Sequence, residues 1–528
     1  MPPSPSPSPP PSPPPPQPQP PTAGIVGAGI AGLGAAIALR RAGFRVQVYE
    51  RSRFGNEVGA AISAPPNATA VLRRWGFDFV RAGAVPNLRT RYAAAADLAT
   101  AFESAYADIE DLMGAPCLSF HRVDLHRGLR ALATRGGGEG REGGADGDDV
   151  EGCDGGGDGG GAAGGQSNGE GKGADNGIGI PVAIQLGCEV KAVDCERGIL
   201  TLADGSTVQK DIVIIADGAH SHLLADFLGR PAPALPTGRS IYRWLVSMSD
   251  VLADPELAAY YRDQLPGFSG WFDAEKRVLW VNYTCRGGTM LNSAVVHDTE
   301  DHDSSVLPKP DGNDGQIDHG HEGDRSRYEQ SNGEDKFWHA PAPKDTVLKT
   351  LSHFHPAARR IVSMASEDGI RVHRLFKRPP LESFVRGRVA VIGDAAHVMM
   401  PTHAAGGAIA IESAGVLEVL FRNLGTQLSS STNGYDEELG REEEKIELQG
   451  KGAGDMECLI RERLQLFDKL RIPRCNLTMI VSNAGPEGLR IPGVEEEIRK
   501  FYLGPLPSKD ALPCTGIKKR ENENGNEQ

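Results

Sequence analysis

A glycine-rich turn within residues 23–51 restricts the fold of this chain more than any other feature. Gly27, Gly29 and Gly32 form G-x-G-x-x-G directly after a short apolar run, and a helix is predicted over residues 30–42. The first glycine of such a turn allows a tight bend, the second lets a pyrophosphate approach the backbone, and the third lets the helix pack closely on the strand. The N-terminus of the helix then offers free N–H groups and a partial positive charge to phosphates.

An acidic residue completes this unit. A second strand is predicted over residues 45–49, and Glu50 follows it, 18 residues after Gly32. An acid at this position accepts hydrogen bonds from a ribose. The glycines alone would also suit a Gly/Ala-rich core helix, but such a helix would not need Glu50. The complete unit of strand, turn, helix and strand therefore predicts a dinucleotide-binding site.

Length and charge limit the class of protein. The chain has 528 residues, which is enough for two or three domains. Its net charge of −14 is concentrated in residues 136–176, 298–335 and 425–455, which together carry −22 and leave +8 on the rest. A mildly basic folded part suits anionic nucleotides. No concentrated Lys/Arg run of the kind found in nucleic-acid-binding proteins is present, so no nucleic-acid partner is expected.

Low-complexity composition marks segments that we expect to be disordered. Residues 136–176 hold 19 glycines among 41 residues and almost no apolar side chains, so burial cannot offset the entropy lost on ordering them. Because both flanks are strongly patterned, we interpret this segment as an insertion between two elements. Residues 298–335 and 425–455 are predicted to be further acidic insertions, and the Pro/Ser tract 1–22 an extended tail.

The cysteines and the N-terminal tract bear on metals and on location. The eight cysteines are scattered, with no C-x-x-C and no Cys/His cluster of zinc spacing, which predicts reduced thiols and no metal site. The tract has neither the charged nor the apolar region of a signal peptide, and no apolar run of 18 residues is free of glycine turns and charges. We therefore expect an intracellular, cytoplasmic protein without a membrane span.

Two further predicted strands end in an acid beside a glycine. An aliphatic run ends at Asp217, and the strand predicted over residues 388–392 is followed by Asp394. Ligands of open α/β sheets bind at the carboxyl ends of strands, although the first of these turns alone would be read as an ordinary strand ending. Gly407 lies in the glycine pair that opens a helix over residues 408–421, which adds a second platform for a phosphate or polyol.

Four residues are weaker candidates on local evidence. Ala61 lies in a small-residue loop whose backbone a ligand can approach, and Arg122 lies at the start of a helix predicted over residues 120–132. Arg243 and Tyr283 lie inside predicted strands of a β-rich region. The alternatives are a surface arginine for Arg122, an arginine paired with a carboxylate for Arg243, and a core tyrosine for Tyr283.

Three motifs in one order point to a known family. GAGIAG with Glu50, ADGAHS at 216–221 and GRVAVIGDAAH at 387–397 are widely separated, and Arg122 lies in HRVDL. In this combination the chain resembles the single-component FAD-dependent aromatic hydroxylases, which are the class A flavoprotein monooxygenases. The fungal salicylate-hydroxylase-like members are the most similar. The resemblance covers the chain without its two tails and three insertions.

The resemblance implies FAD as the cofactor and NADPH or NADH as the co-substrate. The glycine turn would hold the FAD pyrophosphate, Glu50 the adenosine ribose, and Asp394 the ribityl chain, while Asp217 would serve the pyrophosphate and the nicotinamide donor. The residues that the resemblance assigns to cofactor binding are Gly27, Gly29, Gly32, Glu50, Ala61, Arg122, Asp217, Asp394 and Gly407.

The resemblance also implies a reaction. Arg243 of YRW and Tyr283 of NYTCRGG match positions treated as catalytic in the fungal members. The implied activity is hydroxylation of a small phenolic or aromatic acid with O₂, through a flavin C4a-hydroperoxide. Either residue would stabilise a substrate phenolate by a charge-assisted hydrogen bond. The identity of the substrate and the oligomeric state stay open.

The chain departs from the family pattern at three places. His222 and Leu224 stand where the second motif usually continues with arginines that grip the nicotinamide cofactor. Ala405 stands in a loop that often reads Q-G, and Glu412-Ser413 replaces a Glu-Asp pair. These changes predict altered substrate choice or weaker turnover with NADPH.

We predict an α/β protein: a Rossmann-like FAD-binding domain with an interleaved β-sheet-rich substrate domain and a C-terminal helical region. The expected boundaries are 1–22 for the Pro-rich tail, 23–230 and 381–424 for the two parts of the FAD-binding domain, 231–380 for the substrate domain, 456–507 for the helical region and 508–528 for a second tail.

Three other functions remain open on the sequence. One is an FAD enzyme that oxidises or epoxidises a non-aromatic metabolite. Another is a NAD-dependent dehydrogenase with a single Rossmann unit, which would leave Asp394 and its motif unexplained. The third is a degenerate flavoprotein that acts as a scaffold through its Pro-rich and acidic segments, an interpretation favoured by His222 and Leu224.

Overall fold

The computed structural model describes part of the chain. The described residues are 19–53, 59–136, 179–262, 264–299, 340–422, 424 and 453–488. Nearly all of the predicted Pro-rich tail, the three predicted insertions and the second tail lie outside these residues, as does the end of the predicted helical region.

Twenty strands occur in the described residues. They are β1 (Thr22–Val26), β2 (Arg45–Glu50), β3 (Ala61–Ala64), β4 (Val85–Pro86), β5 (Arg89–Ala94), β6 (Thr100–Ala105), β7 (Leu118–His121), β8 (Ala183–Leu186), β9 (Val190–Asp194), β10 (Ile199–Leu202), β11 (Thr207–Gln209), β12 (Ile212–Ile215), β13 (Leu235–Ser247), β14 (Phe268–Asp273), β15 (Val278–Cys285), β16 (Met290–Asp298), β17 (Ala340–Pro341), β18 (Arg371–Lys377), β19 (Val385–Arg386) and β20 (Val389–Val391).

The same residues contain twelve α-helices and a short 3₁₀ turn at Pro401–His403. The helices are α1 (Ile30–Arg41), α2 (Pro66–Arg74), α3 (Ile109–Met113), α4 (Arg122–Thr134), α5 (Leu223–Leu228), α6 (Met248–Ala253), α7 (Pro255–Tyr261), α8 (Lys344–Thr350), α9 (Pro356–Ser363), α10 (Asp394–His397), α11 (Gly406–Phe421) and α12 (Ala453–Gly488).

The first sheet is the Rossmann-like part of the fold. Its strand order is β19-β20-β12-β1-β2-β8, and every neighbouring pair is parallel except β19 with β20. All four residues of β12 are buried, which is expected for a parallel strand covered on both faces. Val26 at the end of β1 pairs with Tyr49 of β2 and Ile215 of β12, so these strands end at the same level.

The second sheet has eight strands in the order β17-β18-β13-β16-β15-β14-β5-β6. Tyr242, Trp244 and Trp280 point to the face that helices α6 to α9 cover. The alternate residues of the same strands, Ile241 and Tyr283 among them, point to the opposite face, towards the first sheet.

Two segments pair differently from the sequence-based interpretation. β5 and β6, within the region assigned to the FAD-binding domain, complete the second sheet because β5 pairs in parallel with β14. Residues 183–209 of the same region do not all join the first sheet either: β9, β10 and β11 pair with one another in a separate small sheet, while β8 pairs with β2. Strand pairing across such distances depends on backbone hydrogen bonds that no local pattern specifies.

The helices pack through small residues. A Cβ on Gly34 of α1 would lie 3.2 Å from the Cβ of Ala414 in α11, so the two helices approach closely. The C-terminal helix α12 buries Leu464 and Phe467 in the same core. None of the helices in the described ranges has both the length and the apolar content needed to cross a membrane.

A buried ion cluster joins α11 to α12. The Glu412 carboxylate accepts hydrogen bonds from Arg471 and Arg474 of α12, and from Asn67 of α2 at 2.6 Å. The side chains of Glu412 and Arg471 are 14% and 3% exposed. Burial raises the pKa of Glu412, but the two guanidinium groups outweigh it and lower the pKa to about 2. The departure at residues 412–413 therefore ties the C-terminal helix to the core, since Ser413 also accepts a hydrogen bond from Arg471 at 3.0 Å.

Replacing Glu412 with Gln should lower the free energy of unfolding by about 3 kcal/mol near neutral pH, because two buried arginines lose their counter-charge. The folded pKa lies below the ordinary value of 4.5, so this stabilisation is present above pH 4.5 and disappears as the pH falls towards 2. Urea unfolding across this pH range should show the dependence in the parent protein and a weaker one in the variant.

A matched control is Glu110→Gln. Glu110 pairs with Arg73, but both side chains are about half exposed, at 53% and 45%. Exposed pairs contribute at most about 1 kcal/mol. Equal losses for the two variants would show that the Glu412 cluster is no more than a surface ion pair.

Candidate active site

The carboxyl ends of four parallel strands lie next to one another at one edge of the first sheet. In the order β2, β1, β12 and β20, these ends lead directly into Glu50, Gly27, Asp217 and Asp394. Ile215 pairs with Val26 on one side and with Val391 on the other, so the turns leave the sheet at one level. The structure therefore brings together four positions that are far apart in the sequence, as the motifs predict.

The glycine turn has the geometry that its spacing predicts. Gly27 has a φ of +96°, and its N–H donates to the Tyr49 carbonyl at 2.8 Å. A Cβ on Gly32 would lie 1.9 Å from the Gly27 carbonyl oxygen, so no larger residue fits between α1 and the turn. A Cβ on Gly29 would meet nothing within 4 Å, so open space lies in front of its backbone. That space is where a pyrophosphate would approach.

Glu50 shapes the turn as well as facing the groove. Its Oε2 accepts a hydrogen bond from the Ala28 N–H at 2.6 Å, and its Oε1 accepts one from the Ser52 N–H at 2.8 Å. Each carboxylate oxygen has a second lone pair, and these can receive the hydroxyl groups of a ribose.

Asp217 is half-buried, and both of its carboxylate oxygens are enclosed by protein. Neither of its carboxylate oxygens has a hydrogen-bond partner in the described part of the chain, and burial raises the pKa of the group. An orphaned buried carboxylate is costly unless a ligand supplies a donor. Its place beside the glycine turn fits a bound dinucleotide.

Arg378 joins two of the turns, although sequence reasoning did not find it. The side chain is 3% exposed and follows β18, beside a Pro-Pro pair. Nη2 donates to the Ala219 carbonyl at 2.9 Å, and Nη1 donates to the Ala395 carbonyl at 2.8 Å. The turns that follow β12 and β20 are therefore fastened to each other by one guanidinium.

Asp394 lies at the bottom of the groove. Its side chain is exposed, yet the surrounding protein raises the pKa of the carboxyl group, while Arg122 and Arg378 act in the opposite direction. The N-terminus of α11 lies beside it, since a Cβ on Gly406 would come within 3.8 Å of Asp394 Oδ1. The exposed Asp394 carboxylate can accept hydrogen bonds from the hydroxyl groups of a polyol chain. Such a chain would bind beside the start of α11.

Ala61 and Gly407 lie in two elements that pack against each other: Ala61 begins β3, and Gly407 lies at the start of α11. A Cβ on Gly407 would come 2.7 Å from Cδ1 of Ile62, so the start of α11 packs directly on β3. The carbonyl oxygen of Ala61 accepts a hydrogen bond from the Tyr283 hydroxyl at 2.8 Å. β3, which forms a three-stranded sheet with β7 and β4, therefore meets the second sheet at Ala61.

Arg243 and Tyr283 lie on the face of the second sheet that points to β3. Burial raises the pKa of Tyr283, and the charge of Arg243 opposes that rise. Burial also lowers the pKa of Arg243, whose Nε is buried and has no hydrogen-bond partner among the described residues. Because Tyr283 donates its proton to Ala61, Arg243 is the group with a donor left for a ligand.

The departures in the second motif are explained by packing. Leu224 is fully buried in the core of the first sheet. His222 has its Nε2 2.7 Å from the Val190 carbonyl oxygen, so its ring is engaged with β9. The ring centroids of His220 and Phe376 are 5.1 Å apart. Burial, and to a lesser extent the charge of Arg378, lowers the pKa of His220 to about 4. Neither substituted side chain replaces the missing arginines in the groove.

Comparisons with known proteins agree with this geometry. Residues 25–71 match the model of a NAD(P)-binding Rossmann-like domain, and residues 375–435 match that of an FAD binding domain. The FAD-dependent monooxygenase cfoG of Aspergillus candidus is 29% identical over 496 residues, covering 93% of this chain and 89% of that protein. Hispidin-3-hydroxylase of Neonothopanus nambi is 28% identical over 407 residues, covering 75% and 79%.

A solved structure supports the fold. A salicylate hydroxylase in complex with its substrate superposes with a TM-score of 0.59 at 20% identity, covering 92% of this chain and 96% of that one. Together with these relatives and family-model matches, it supports an FAD-dependent monooxygenase that is similar to the class A flavoprotein monooxygenases. The predictions of the family, the α/β fold class and FAD as cofactor are confirmed.

The residues present fit FAD. The open space at Gly29 and the carboxylates of Glu50, Asp217 and Asp394 lie at the same edge of the first sheet. Together they offer contacts for a pyrophosphate, a ribose and a polyol chain. Within the described ranges, no three His, Cys, Asp or Glu side chains are grouped so that they could hold a metal ion.

The two glycines of the turn predict different defects. Gly29→Ala should leave the unfolding midpoint of the apoprotein unchanged and weaken FAD binding by about tenfold, because the new methyl group meets no protein atom but occupies the pyrophosphate's path. Gly32→Ala should lower the stability of the apoprotein itself by about 2 kcal/mol, because the methyl group collides with the Gly27 carbonyl. Thermal unfolding without FAD and FAD titration separate the two effects, and destabilised Gly29→Ala apoprotein would contradict the assignment.

Proposed function

We propose that this enzyme uses NADPH or NADH and O₂ to hydroxylate a small aromatic substrate that carries an acidic hydroxyl or carboxyl group. One observation carries the proposal. Arg243 is a half-buried arginine whose enclosed Nε has no hydrogen-bond partner among the described residues, and it lies on the same face of β13 as Ile241. A cation with an enclosed, unmet donor favours an anionic ligand.

The walls around Arg243 suit the rest of such a molecule. Ile241 and Leu245 flank Arg243 on the same face of β13, and Ala294 is its register partner on β16. Met400, from the loop after α10, packs against Ile241. These apolar side chains would hold a flat ring and keep water away from the reacting atoms.

Residue roles follow from these contacts. Arg243 would bind the substrate's phenolate or carboxylate by a charge-assisted hydrogen bond and favour the ionised form, which is the more electron-rich ring. Tyr283 would hold the loop at Ala61, since its hydroxyl proton is already donated there. Glu50, Asp217, Asp394 and the glycine turn would hold FAD, and when bound, FAD supplies the hydride acceptance and the oxygen activation.

A related enzyme supports hydroxylation in particular. Hispidin-3-hydroxylase is named for a hydroxylation, and its similarity extends over most of both chains. We extend this reaction type to the present chain, with the substrate limited to molecules small enough for the space between β13 and the loop before β3.

The reaction is tested with FAD-loaded protein, NADPH or NADH, and a panel of phenolic and aromatic acids. Nicotinamide oxidation and O₂ uptake should be stimulated by some members of the panel, with a hydroxylated product found by mass spectrometry. Oxidation or epoxidation of a non-aromatic metabolite alone would support the alternative enzyme. Bound FAD that neither nicotinamide cofactor reduces, with any substrate, would support the scaffold alternative.

Arg243→Ala should keep the FAD content of the parent enzyme and lose about 100-fold or more in kcat/KM for hydroxylation, because the substrate anion loses its counter-charge. Arg239→Ala is a matched control on the same strand, since Arg239 lies four residues before Arg243 and pairs with Asp298 at 3.1 Å. Unchanged turnover by Arg243→Ala, or equal losses in both variants, would remove Arg243 from the substrate site.

A further inference from the structure

Both backbone groups of Ala61 are held by side chains of the second sheet. The Ala61 N–H donates to Oδ1 of Asn292 at 3.0 Å, and the Ala61 carbonyl accepts from the Tyr283 hydroxyl at 2.8 Å. Ala61 lies at the start of β3, in the loop that borders the flavin groove. The start of β3 is thus held from the second sheet by one acceptor and one donor.

The register of the second sheet places these two side chains together. Tyr283 of β15 and Asn292 of β16 are direct pairing partners in an antiparallel ladder, so they point to the same face. Asn292 is 1% exposed and Tyr283 is 9% exposed, and Tyr283 packs edge-on against Phe268 with ring centroids 4.8 Å apart. Side chains that are buried to this extent have little rotational freedom, so their hydrogen bonds hold the Ala61 backbone in one position.

The held loop contacts the start of α11 on its other side. Ile62 follows Ala61 and lies against Gly407, at the helix N-terminus beside Asp394. Ala60 is fastened separately, because its carbonyl accepts the Arg122 N–H at 2.9 Å. The position of residues 60–62 therefore depends on contacts with the second sheet as well as on contacts within the FAD-binding part.

We propose that Asn292 is a positioning residue for the flavin. With Tyr283 it fixes the Ala61 backbone, and through Ala61 it sets the wall of the groove against which the flavin is held. This inference rests on FAD binding and not on the identity of the substrate. It assigns a function to a residue that no motif marked.

The chemistry of Asn292 explains why its amide is needed. A leucine has a similar volume but offers no acceptor, so the Ala61 N–H would be left buried and unsatisfied. An aspartate keeps an acceptor oxygen at the same position and should restore the hydrogen bond. The two variants therefore separate the hydrogen bond from packing.

The experiment measures amide hydrogen exchange of residues 59–64 and the binding and circular dichroism of FAD, without turnover. In the apoprotein of Asn292→Leu, amide hydrogen exchange in a peptide covering residues 59–64 should be about tenfold faster, and FAD should bind about tenfold more weakly. The visible circular dichroism of the bound flavin should change as well. Asn292→Asp should return all three measurements most of the way to those of the parent protein.

Asn282→Leu is the matched control. Asn282 is also a fully buried asparagine of this sheet, but it points to the opposite face, where it accepts a hydrogen bond from Ser293 at 2.8 Å. This variant should leave loop exchange and flavin dichroism unchanged even if its unfolding midpoint falls. If Asn282→Leu changed both, or if Asn292→Leu changed neither, the proposal would be wrong.

A second variant tests the proposal if Asn292→Leu does not fold. If Asn292→Leu does not fold, Tyr283→Phe releases the Ala61 carbonyl without changing the ring, and it should alter loop exchange and the flavin dichroism in the same direction. Unaltered exchange and dichroism in Tyr283→Phe would overturn the proposal. None of these readouts needs a nicotinamide cofactor, O₂ or an aromatic substrate, so a failed substrate panel and a failed positioning test are distinguishable.

Discussion

The parallel pairing of β2, β1, β12 and β20 is the constraint on which the rest of the structure depends. Backbone hydrogen bonds hold these strands in level register, so the chain must leave all of them at one edge of the sheet. Each exit carries a glycine or an acid, and the four exits lie side by side at that edge. Arg378 then fastens two of the turns to each other through their carbonyl oxygens. Without the level register, the same motifs would face separate surfaces.

The second sheet packs against β3, which begins at Ala61. It carries Arg243, a half-buried cation whose Nε has no hydrogen-bond partner in the described part of the chain, and it holds Ala61 by two side chains. Charges near the groove are compensated in part by one another, since Arg122 and Arg378 act on the pKa of Asp394 against the effect of the enclosing protein. A bound cofactor would supply the partner that Asp217 lacks. The site is therefore built to be completed by ligands.

Sequence reasoning predicted the first sheet's contribution well and the second sheet's contribution poorly. The glycine spacing, Glu50 and the two acidic turns are local patterns, because each depends on the conformation of a few consecutive residues. The engagement of Tyr283 with Ala61 and the role proposed for Asn292 depend on residues 222 and 231 positions apart in the chain. An asparagine inside a strand gives no signal of this kind. The pairing of β5 with β14 was missed for the same reason.

Local sequence patterns were enough to predict the family, the cofactor and the Rossmann-like unit, because a pyrophosphate needs a glycine turn at a helix N-terminus and a ribose needs an acid at a strand end. Only the tertiary structure decided which side chains face the groove. It turned Leu224 into the core, engaged His222 with β9, drew Glu412 towards α12, and left Arg243 with a free donor. The physical reason is that a side chain's partner is chosen by packing between distant segments, and composition or spacing along the chain contains no information about that choice.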